Sequence, residues 1–218
     1  MTLIKAILFD MDGVLIDARE WHYQSLNRAL QLFGKAISRQ DHLDNFDGLP
    51  TRKKLEQLSR NRGLPRELHE FVNELKQKHT FHIVNEHCHP NFRHEYALSK
   101  LKSEGYKLAL CSNSIRKSVE LMMELSNLGQ YFDTVLSNED VTKPKPDPQI
   151  YQLAMRKLGL NANHCLIVED NDNGIKAAND AGGFVFRVQS PKDVTYDAVK
   201  RAIENLEACG AIKQEQDN

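Results

Sequence analysis

The sequence predicts an α/β fold: a doubly wound parallel sheet that carries an inserted helical cap domain. Short apolar runs alternate with helical patterns over most of the chain, as in right-handed β-α-β units. The stretch from residue 17 to residue 87 differs, because it has helical periodicity and no convincing strand. These observations predict a core domain made of residues 1–16 and 88–218 and a cap domain made of residues 17–87.

Length and composition set the outer limits of this prediction. A chain of 218 residues suits one domain with a smaller insertion, and 40% hydrophobic residues suffice for a core. The net charge of −1, without a basic stripe, argues against nucleic-acid binding. No apolar run could span a membrane, and the first run is a poor signal peptide because it stops at Asp10. We expect a monomer or weak dimer.

The cysteines indicate a cellular compartment. None of the four, Cys88, Cys111, Cys165 and Cys209, has a partner at C-x-x-C spacing. Cys111 and Cys165 lie in apolar runs, where cysteine is usually a small buried hydrophobe. The sequence therefore predicts a reduced, cytoplasmic protein without a disulfide framework.

The elements follow from hydrophobic periodicity and from residues that begin or end helices. Five apolar runs predict strands: residues 3–9, 107–111, 134–136, 165–168 and 184–188. Between them, helices are predicted to begin near Ser114, Asp147 and Asp172 and to end at the glycines that follow. Three further helices are predicted in the insertion: 19–33, 51–61 and 66–78. Because ligands of open parallel sheets bind at the carboxyl ends of the strands, the cap is expected to cover that edge.

The first polar residues at this edge are two carboxylates. Asp10 follows the first strand, and Gly13 allows a sharp turn that can point Asp10 and Asp12 into the same cleft. One carboxylate could act as a nucleophile and the other as a general acid. The alternative is an ordinary solvated turn after a strand.

Two later strand ends could bind an anion. Ser112 offers a hydroxyl beside the amide groups of the next helix, although a simple helix cap is the alternative. Lys143, the first residue of the rigid proline-rich segment K-P-K-P-D-P, could neutralise a phosphate. Lys145 is the second candidate, and a solvated basic loop is the alternative for both lysines.

The fourth strand runs into an acidic pair. Glu169 and Asp170 would face the carboxylates of the first strand and form an oxygen-rich site of the kind that Mg²⁺ prefers. A capping loop, for which Asp172 would suffice, is the alternative. The four strand ends together are much more specific than any one of them.

These motifs resemble those of a known family. FDMDGV, LCSNS, KPKPD and VEDNDNGIKAA are similar, in order and spacing, to the four motifs of the haloacid dehalogenase superfamily. The resemblance covers nearly the whole chain, and it is strongest to the branch with a small helical cap, which includes β-phosphoglucomutase and phosphoglycolate phosphatase. It implies an enzyme that acts on a small phosphorylated metabolite.

The resemblance also implies a role for each motif residue. Asp10 would attack phosphorus and form an aspartyl phosphate, and Asp12 would protonate the leaving oxygen and then activate water. Ser112 would bind the phosphoryl group with Asn113 beside it, and Lys143 would hold the nucleophile and the phosphate. Because dehalogenases of the superfamily lack the second aspartate, Asp12 favours phosphate chemistry.

The metal ligands are implied in the same way. Asp170 would bind Mg²⁺ together with Asp10 and the backbone carbonyl of Asp12. Glu169 would assist directly or through water.

The cap would choose the substrate. Gly48 and Arg52 lie in a segment similar to the specificity loop of the branch, and Arg52 could bind an anionic or hydroxyl-rich leaving group. His22 and Lys78 are similar to a His–Lys pair of β-phosphoglucomutase. A half-buried helix residue is the alternative for His22, and a solvated face is the alternative for Lys78.

Three functions remain open from the sequence. Ala18 and Asn113 depart from the mutase pattern, so a phosphatase is favoured over a sugar phosphomutase. A noncatalytic phospho-aspartate switch is a remote third reading. The histidine-rich stretch from His79 to His94 could in principle bind zinc, but it lacks regularly spaced partners and is expected to be a surface or hinge segment.

Overall fold

The computed structural model describes the backbone of residues 3–216 and the side-chain environment of residues 3–208. Its centre is a five-stranded, fully parallel sheet in the order β3-β2-β1-β4-β5. The strands are β1 (Ala6–Phe9), β2 (Lys107–Cys111), β3 (Thr134–Leu136), β4 (Cys165–Glu169) and β5 (Phe184–Arg187). All five predicted strands are therefore present.

The strands alternate with helices, and longer helices fill the insertion. The helices are α1 (Arg19–Gln31), α2 (Arg39–Asn45), α3 (Thr51–Arg62), α4 (His69–His87), α5 (Phe92–Ser103), α6 (Arg116–Leu125), α7 (Gln149–Leu158), α8 (Asp172–Asp180) and α9 (Tyr196–Gln216). Helices α2, α5 and α9 are additional to the sequence prediction, and α4 extends beyond it to His87. No helix in the described part of the chain is both long and apolar enough to cross a membrane.

Both faces of the sheet are covered, which explains the unbroken apolar runs of its central strands. Alternate residues of β1 point to opposite faces: Ile7 and Phe9 join one buried cluster, and Ala6 and Leu8 join another. Residues of α5, α6 and α9 belong to the first cluster, and residues of α7 and α8 belong to the second. The predicted doubly wound α/β fold is confirmed.

The inserted helices have a hydrophobic cluster of their own. Apolar residues of α1, α3 and α4 pack there with Ile37, Phe46 and Leu64 from the connecting segments. The ends of the insertion pack differently, because Ala18, Val84 and the adjoining Cys88 belong to the same cluster as Ile7 and Phe9 of β1. Helix α4 therefore extends from the insertion to the core.

Candidate active site

The carboxyl ends of the three central strands bring the predicted motifs together. Asp10 follows β1, Ser112 follows β2 and Asp170 follows β4, and all three are buried. Gly13 turns the chain after β1 with a φ of 91°. A side chain at Gly13 would collide with the carboxylate of Asp170, so both the positive φ and the close approach require glycine.

Lys145, and not Lys143, is the lysine of the site. Its Nζ donates hydrogen bonds to Asp10 Oδ1 at 2.7 Å and to Glu169 Oε1 at 2.6 Å, and it is buried. Lys143 is exposed, and its backbone N–H donates to the side chain of Gln149. The prediction of Lys143 is therefore corrected: the loop is irregular, so periodicity could not show which of its two lysines points inward.

The environment of Lys145 keeps it charged. Burial opposes the charge, but Asp10 and Glu169 together raise the pKa of this ammonium above its ordinary value. The hydroxyl of Tyr151 donates to the same Glu169 oxygen, and the Tyr151 ring lies 4.7 Å from the Lys145 Nζ. Tyr151 was not predicted as a site residue, because nothing in the sequence distinguishes it from the other residues on the apolar face of α7.

Asp10 is held among competing charges. Burial raises the pKa of its carboxyl well above the ordinary range, Lys145 opposes this, and Glu169, Asp170 and Asp12 raise the pKa further. The ionised form that a nucleophile requires therefore depends on nearby positive charge.

Asp12 has different partners and the opposite shift. Its Oδ2 accepts a hydrogen bond from the hydroxyl of Ser114 at 2.8 Å, and its Oδ1 lies 3.1 Å from His22 Nε2. Burial acts to raise the pKa of Asp12, but His22 and Ser114 lower it overall. The two neighbouring carboxyls thus have pKa values that are shifted in opposite directions, as expected for groups that divide acid–base work.

An acidic cluster can hold a cation beside Asp10. One carboxylate oxygen each from Asp10, Glu169 and Asp170 lies within 4.8 Å of the others. Asp170 Oδ1 is buried without a hydrogen-bond partner, and burial and Glu169 raise the pKa of Asp170 to about 6, although Arg19 opposes the rise. Hard oxygen donors with an unused buried lone pair fit a divalent cation such as Mg²⁺. The ligand role of the Asp12 backbone carbonyl stays a prediction.

Asn113 connects the loops around the site. Its Nδ2 donates to the Gly48 carbonyl at 3.1 Å, and its Oδ1 accepts from the Lys145 amide at 3.0 Å. The backbone at Gly48 lies so close to Asn171 that a side chain there would overlap it. Ser112 is fully buried, and its hydroxyl accepts a hydrogen bond from the Ser114 amide.

On the insertion side, Lys76 lies where Lys78 was predicted. Lys76 is buried with its Nζ 3.4 Å from His22 Nδ1, whereas Lys78 is exposed and does not line the cavity. Two residues on a helix correspond to a rotation of about 200°, so the predicted residue faces away. Lys76 belongs to a buried row with Val72 and Thr80, and that four-residue spacing was a signal that could have identified it.

The site opens into a cavity of about 200 Å³ between the strand ends and the inserted helices. Arg52 lines its edge, but its side chain is 90% exposed and pairs with Glu56 at 3.5 Å. Two further lining residues were missed by the sequence analysis. Lys54 of α3 is buried, and Arg19 of α1 contacts both Asp170 and Asp47.

The histidines of the stretch from His79 to His94 do not form a cluster. His82 and His89 are exposed, and His94 is buried with its Nε2 2.8 Å from the Pro191 carbonyl. Within the described residues, no group that could ligate a metal contains a histidine. Cys88, Cys111 and Cys165 are free and buried, and Cys209 lies outside the described side chains.

Known proteins share this sequence pattern and fold. The model of the family described as haloacid dehalogenase-like hydrolase matches residues 7–188. The pyrophosphatase PpaX of Bacillus velezensis is 32% identical over 82% of this chain and 80% of its own length. The phosphoglycolate phosphatase of Aquifex aeolicus is 31% identical over 82% of each chain.

A solved structure agrees with the fold. β-Phosphoglucomutase from Clostridium difficile superimposes with a TM-score of 0.81 over 94% of this chain and 99% of its own, at 20% identity. The expected resemblance and the expected enzyme class are confirmed. The chain belongs to the haloacid dehalogenase-like hydrolases.

Proposed function

We propose that this protein is a Mg²⁺-dependent phosphatase that hydrolyses a small phosphomonoester, such as a sugar phosphate or a similar metabolite, through an aspartyl phosphate. The observation that carries the proposal is the pair of carboxylates at the end of β1. Asp10 is held by Lys145 beside two more acids, and Asp12 is held by Ser114 and His22. Two relatives with phosphatase names support the same reaction class.

In the first step, the Asp10 carboxylate would attack phosphorus while the bond from phosphorus to the leaving oxygen breaks. The leaving oxygen would take a proton from Asp12. In the free protein Asp12 has a lowered pKa, but an incoming phosphate dianion raises the pKa of a neighbouring carboxyl and so allows Asp12 to take up that proton. Ser112 and Lys145 would donate hydrogen bonds to the phosphoryl oxygens.

In the second step, water would attack the phosphorus of the aspartyl phosphate and give its proton to Asp12. The bond between phosphorus and the Asp10 oxygen then breaks, which releases inorganic phosphate and restores the carboxylate. Asp12 has given its proton to the leaving oxygen in the first step, and its lowered pKa keeps it in the ionised form that can accept a proton from water.

Asp10, Glu169, Asp170 and the Asp12 carbonyl would hold the Mg²⁺. The bound ion would supply positive charge that keeps these carboxylates ionised and stabilises charge on the phosphoryl oxygens. Arg19 and Lys145 already oppose the repulsion among the acids through their contacts with Asp170 and Asp10.

We propose that residues 17–87 form the cap, and that the cap excludes water and selects the leaving group. Asn113 connects the insertion to the core through the Gly48 carbonyl, and Arg19 does so through Asp170. Arg52 would contact a leaving group only at the edge of the cavity, given its exposure. A cytoplasmic location and a monomeric or weakly dimeric state stay predictions.

The experiment is phosphate release from sugar phosphates, phosphoglycolate, pyrophosphate and nucleotides, with Mg²⁺ or EDTA. Release that requires Mg²⁺ and is lost in Asp10→Asn would support the proposal. No release from any compound by folded protein would contradict it. Stable phosphorylation of Asp10 without turnover would instead support the noncatalytic switch.

A sugar phosphomutase is the second candidate, because His22 and Lys76 form a pair next to Asp12. That pair could hold Asp12 against a sugar hydroxyl instead of water. A mutase would convert β-glucose 1-phosphate to its isomer with little free phosphate and would depend on a bisphosphate primer. Product analysis by ³¹P NMR separates the two reactions.

A further inference from the structure

Two buried lysines face the cavity from the inserted helices. Lys54 of α3 and Lys76 of α4 are each only 7% exposed, and both line the same cavity as Asp10 and Asp12. Among the residues that the structure describes, neither lysine forms a salt bridge. Lys76 contacts His22, and no side chain in the described part of the protein forms a hydrogen bond with the Lys54 ammonium. Buried charges of this kind are rare unless they are paired.

The acids around the cavity cannot serve as their partners, because other groups already hold them. Lys145 holds Asp10 and Glu169, and Arg19 holds Asp47 and Asp170. Asp12, the remaining carboxylate of the cavity lining, is held by Ser114 and lies against His22.

The protein therefore holds uncompensated positive charge on one side of the cavity. Burial lowers the pKa of Lys54 to about 8, although Asp47 and Asp12 oppose the shift. Burial, and after it the charge of Lys54, lowers the pKa of Lys76 to about 7, although Asp12 opposes the shift. The buried ring of His42, whose pKa falls to about 3 through burial and then through Lys54, experiences the same positive field.

The position of this charge indicates which part of a substrate meets it. The phosphoryl group belongs at Asp10, Ser112 and Lys145 on the core side. Helices α3 and α4 line the cavity from the insertion, so their lysines face the leaving group. The cavity of about 200 Å³ is smaller than most ligand pockets and admits a leaving group of only a few heavy atoms.

We infer that the substrate carries a second anionic group on its leaving side, a carboxylate or a second phosphate, and that Lys54 binds this group with help from Lys76. The inference rests on the proposed phosphatase reaction and narrows its substrate to small phosphate esters or anhydrides that carry a further anionic group beside the phosphoryl group that is transferred. A sugar phosphate with an uncharged leaving group would leave the two ammonium groups without a counter-charge.

The test compares phosphoglycolate with 2-hydroxyethyl phosphate, which replaces the carboxylate by a neutral hydroxymethyl group. Pyrophosphate forms a third arm, in which the second anion is a phosphate. Wild-type protein should prefer the carboxylate or the second phosphate over the neutral ester by about 10- to 100-fold in kcat/KM, the range of a charge-assisted hydrogen bond. Whichever anionic compound shows the larger preference identifies the second group.

The decisive variant is Lys54→Met, and its matched control is Lys53→Met, which removes an exposed lysine from the same helix. Lys54→Met should reduce the preference for the anionic substrate at least 10-fold, Lys54→Arg should restore part of it, and Lys53→Met should leave it unchanged. An equal preference in Lys54→Met and Lys53→Met, or no preference in wild type, would overturn the inference while the phosphatase proposal stands.

A binding measurement keeps the inference testable if no ester is hydrolysed. Titration of Asp10→Asn protein with phosphoglycolate and with 2-hydroxyethyl phosphate should show at least 10-fold tighter binding of the carboxylate, and this difference should disappear when Lys54→Met is added. Equal binding of the two compounds would overturn the inference by itself.

Discussion

Replacement of Lys145 by methionine should abolish most of the activity, because this ammonium contacts two carboxylates of the site at once. Its hydrogen bonds to Asp10 and Glu169 are 2.7 and 2.6 Å long and fully buried. A hydrogen bond to a charged group contributes about 1.5–3 kcal/mol, so the two together contribute about 3–6 kcal/mol. If about 3–5 kcal/mol of this is lost in the transition state, kcat falls by about 10²–10⁴-fold.

The matched control is Lys143→Met, which changes the other lysine of the same loop. Lys143 is exposed and contributes only its backbone N–H to Gln149, so kcat should stay within about 2-fold of wild type. Phosphate release under saturating Mg²⁺, with circular dichroism to confirm folding, measures both variants. Loss of activity in Lys143→Met, with Lys145→Met active, would refute the assignment of the lysine.

Three further outcomes are expected. Gly13→Ala should inactivate the enzyme, because the new methyl group would overlap the Asp170 carboxylate. Gly105 has a similar φ of 90° but open space around it, so Gly105→Ala should lose only about 1 kcal/mol of stability. Phosphate release and urea unfolding compare the two variants. Lys54→Met should raise the free energy of unfolding by about 2–3 kcal/mol at pH 7, because burial lowers the pKa of this lysine from 10.5 to about 8. This gain in stability should shrink as pH rises from 8 to 10.5, because the native lysine loses its proton there. Urea titrations across that range would contradict the prediction if the gain were constant or absent. Mg²⁺ at 100 times its Kd should stabilise wild type by about 2.7 kcal/mol, or about 5–10 °C in Tm, and EDTA should reverse the shift; an equal shift in Asp170→Asn would place the ion elsewhere.

The core of the site could be predicted because the end of a buried strand is easy to recognise in a sequence. A central strand buried on both faces is apolar until it leaves the sheet, so the first polar residue after it marks the edge. Asp10 and Ser112 follow immediately after β1 and β2, and Asp170 follows β4 in the same way. Parallel pairing then forces the three ends to the same edge.

The lysines could not be predicted in the same way. Lys143 and Lys145 each precede a proline in an irregular loop, where no periodicity distinguishes the inward residue. On α4 the four-residue spacing of Val72, Lys76 and Thr80 could have identified Lys76, but Lys78 was predicted from its resemblance to a residue of a known pair instead. Lys54 is harder still to predict, because a lysine that follows Arg52 and Lys53 in a basic run ordinarily indicates a solvated face.

Helices α2, α5 and α9 were not predicted, and for α2 and α5 the reason is related. Helix α2 spans only seven residues, of which His42 is the one that is buried, so it leaves almost no apolar pattern. Helix α5 buries His94 along with its alanine and leucines, and its first residue, Phe92, is exposed. Its apolar and polar residues therefore do not separate cleanly into a buried face and an exposed face.

The charges of the cavity divide it into two halves that respond differently to a substrate. On the core side every carboxylate has a fixed donor, and Lys145 is held by two acids and the Tyr151 ring, so little reorganisation is needed when phosphate arrives. On the insertion side the two lysines repel each other: the pKa of Lys76 is lowered to about 7 mainly by burial, and the charge of Lys54 contributes to the shift. An anionic leaving group would relieve that repulsion only while it is bound, since release of the product exposes the two charges to each other again. The same arrangement that selects an anionic substrate therefore raises the free energy of the empty site and couples binding of the leaving group to the stability of the inserted helices.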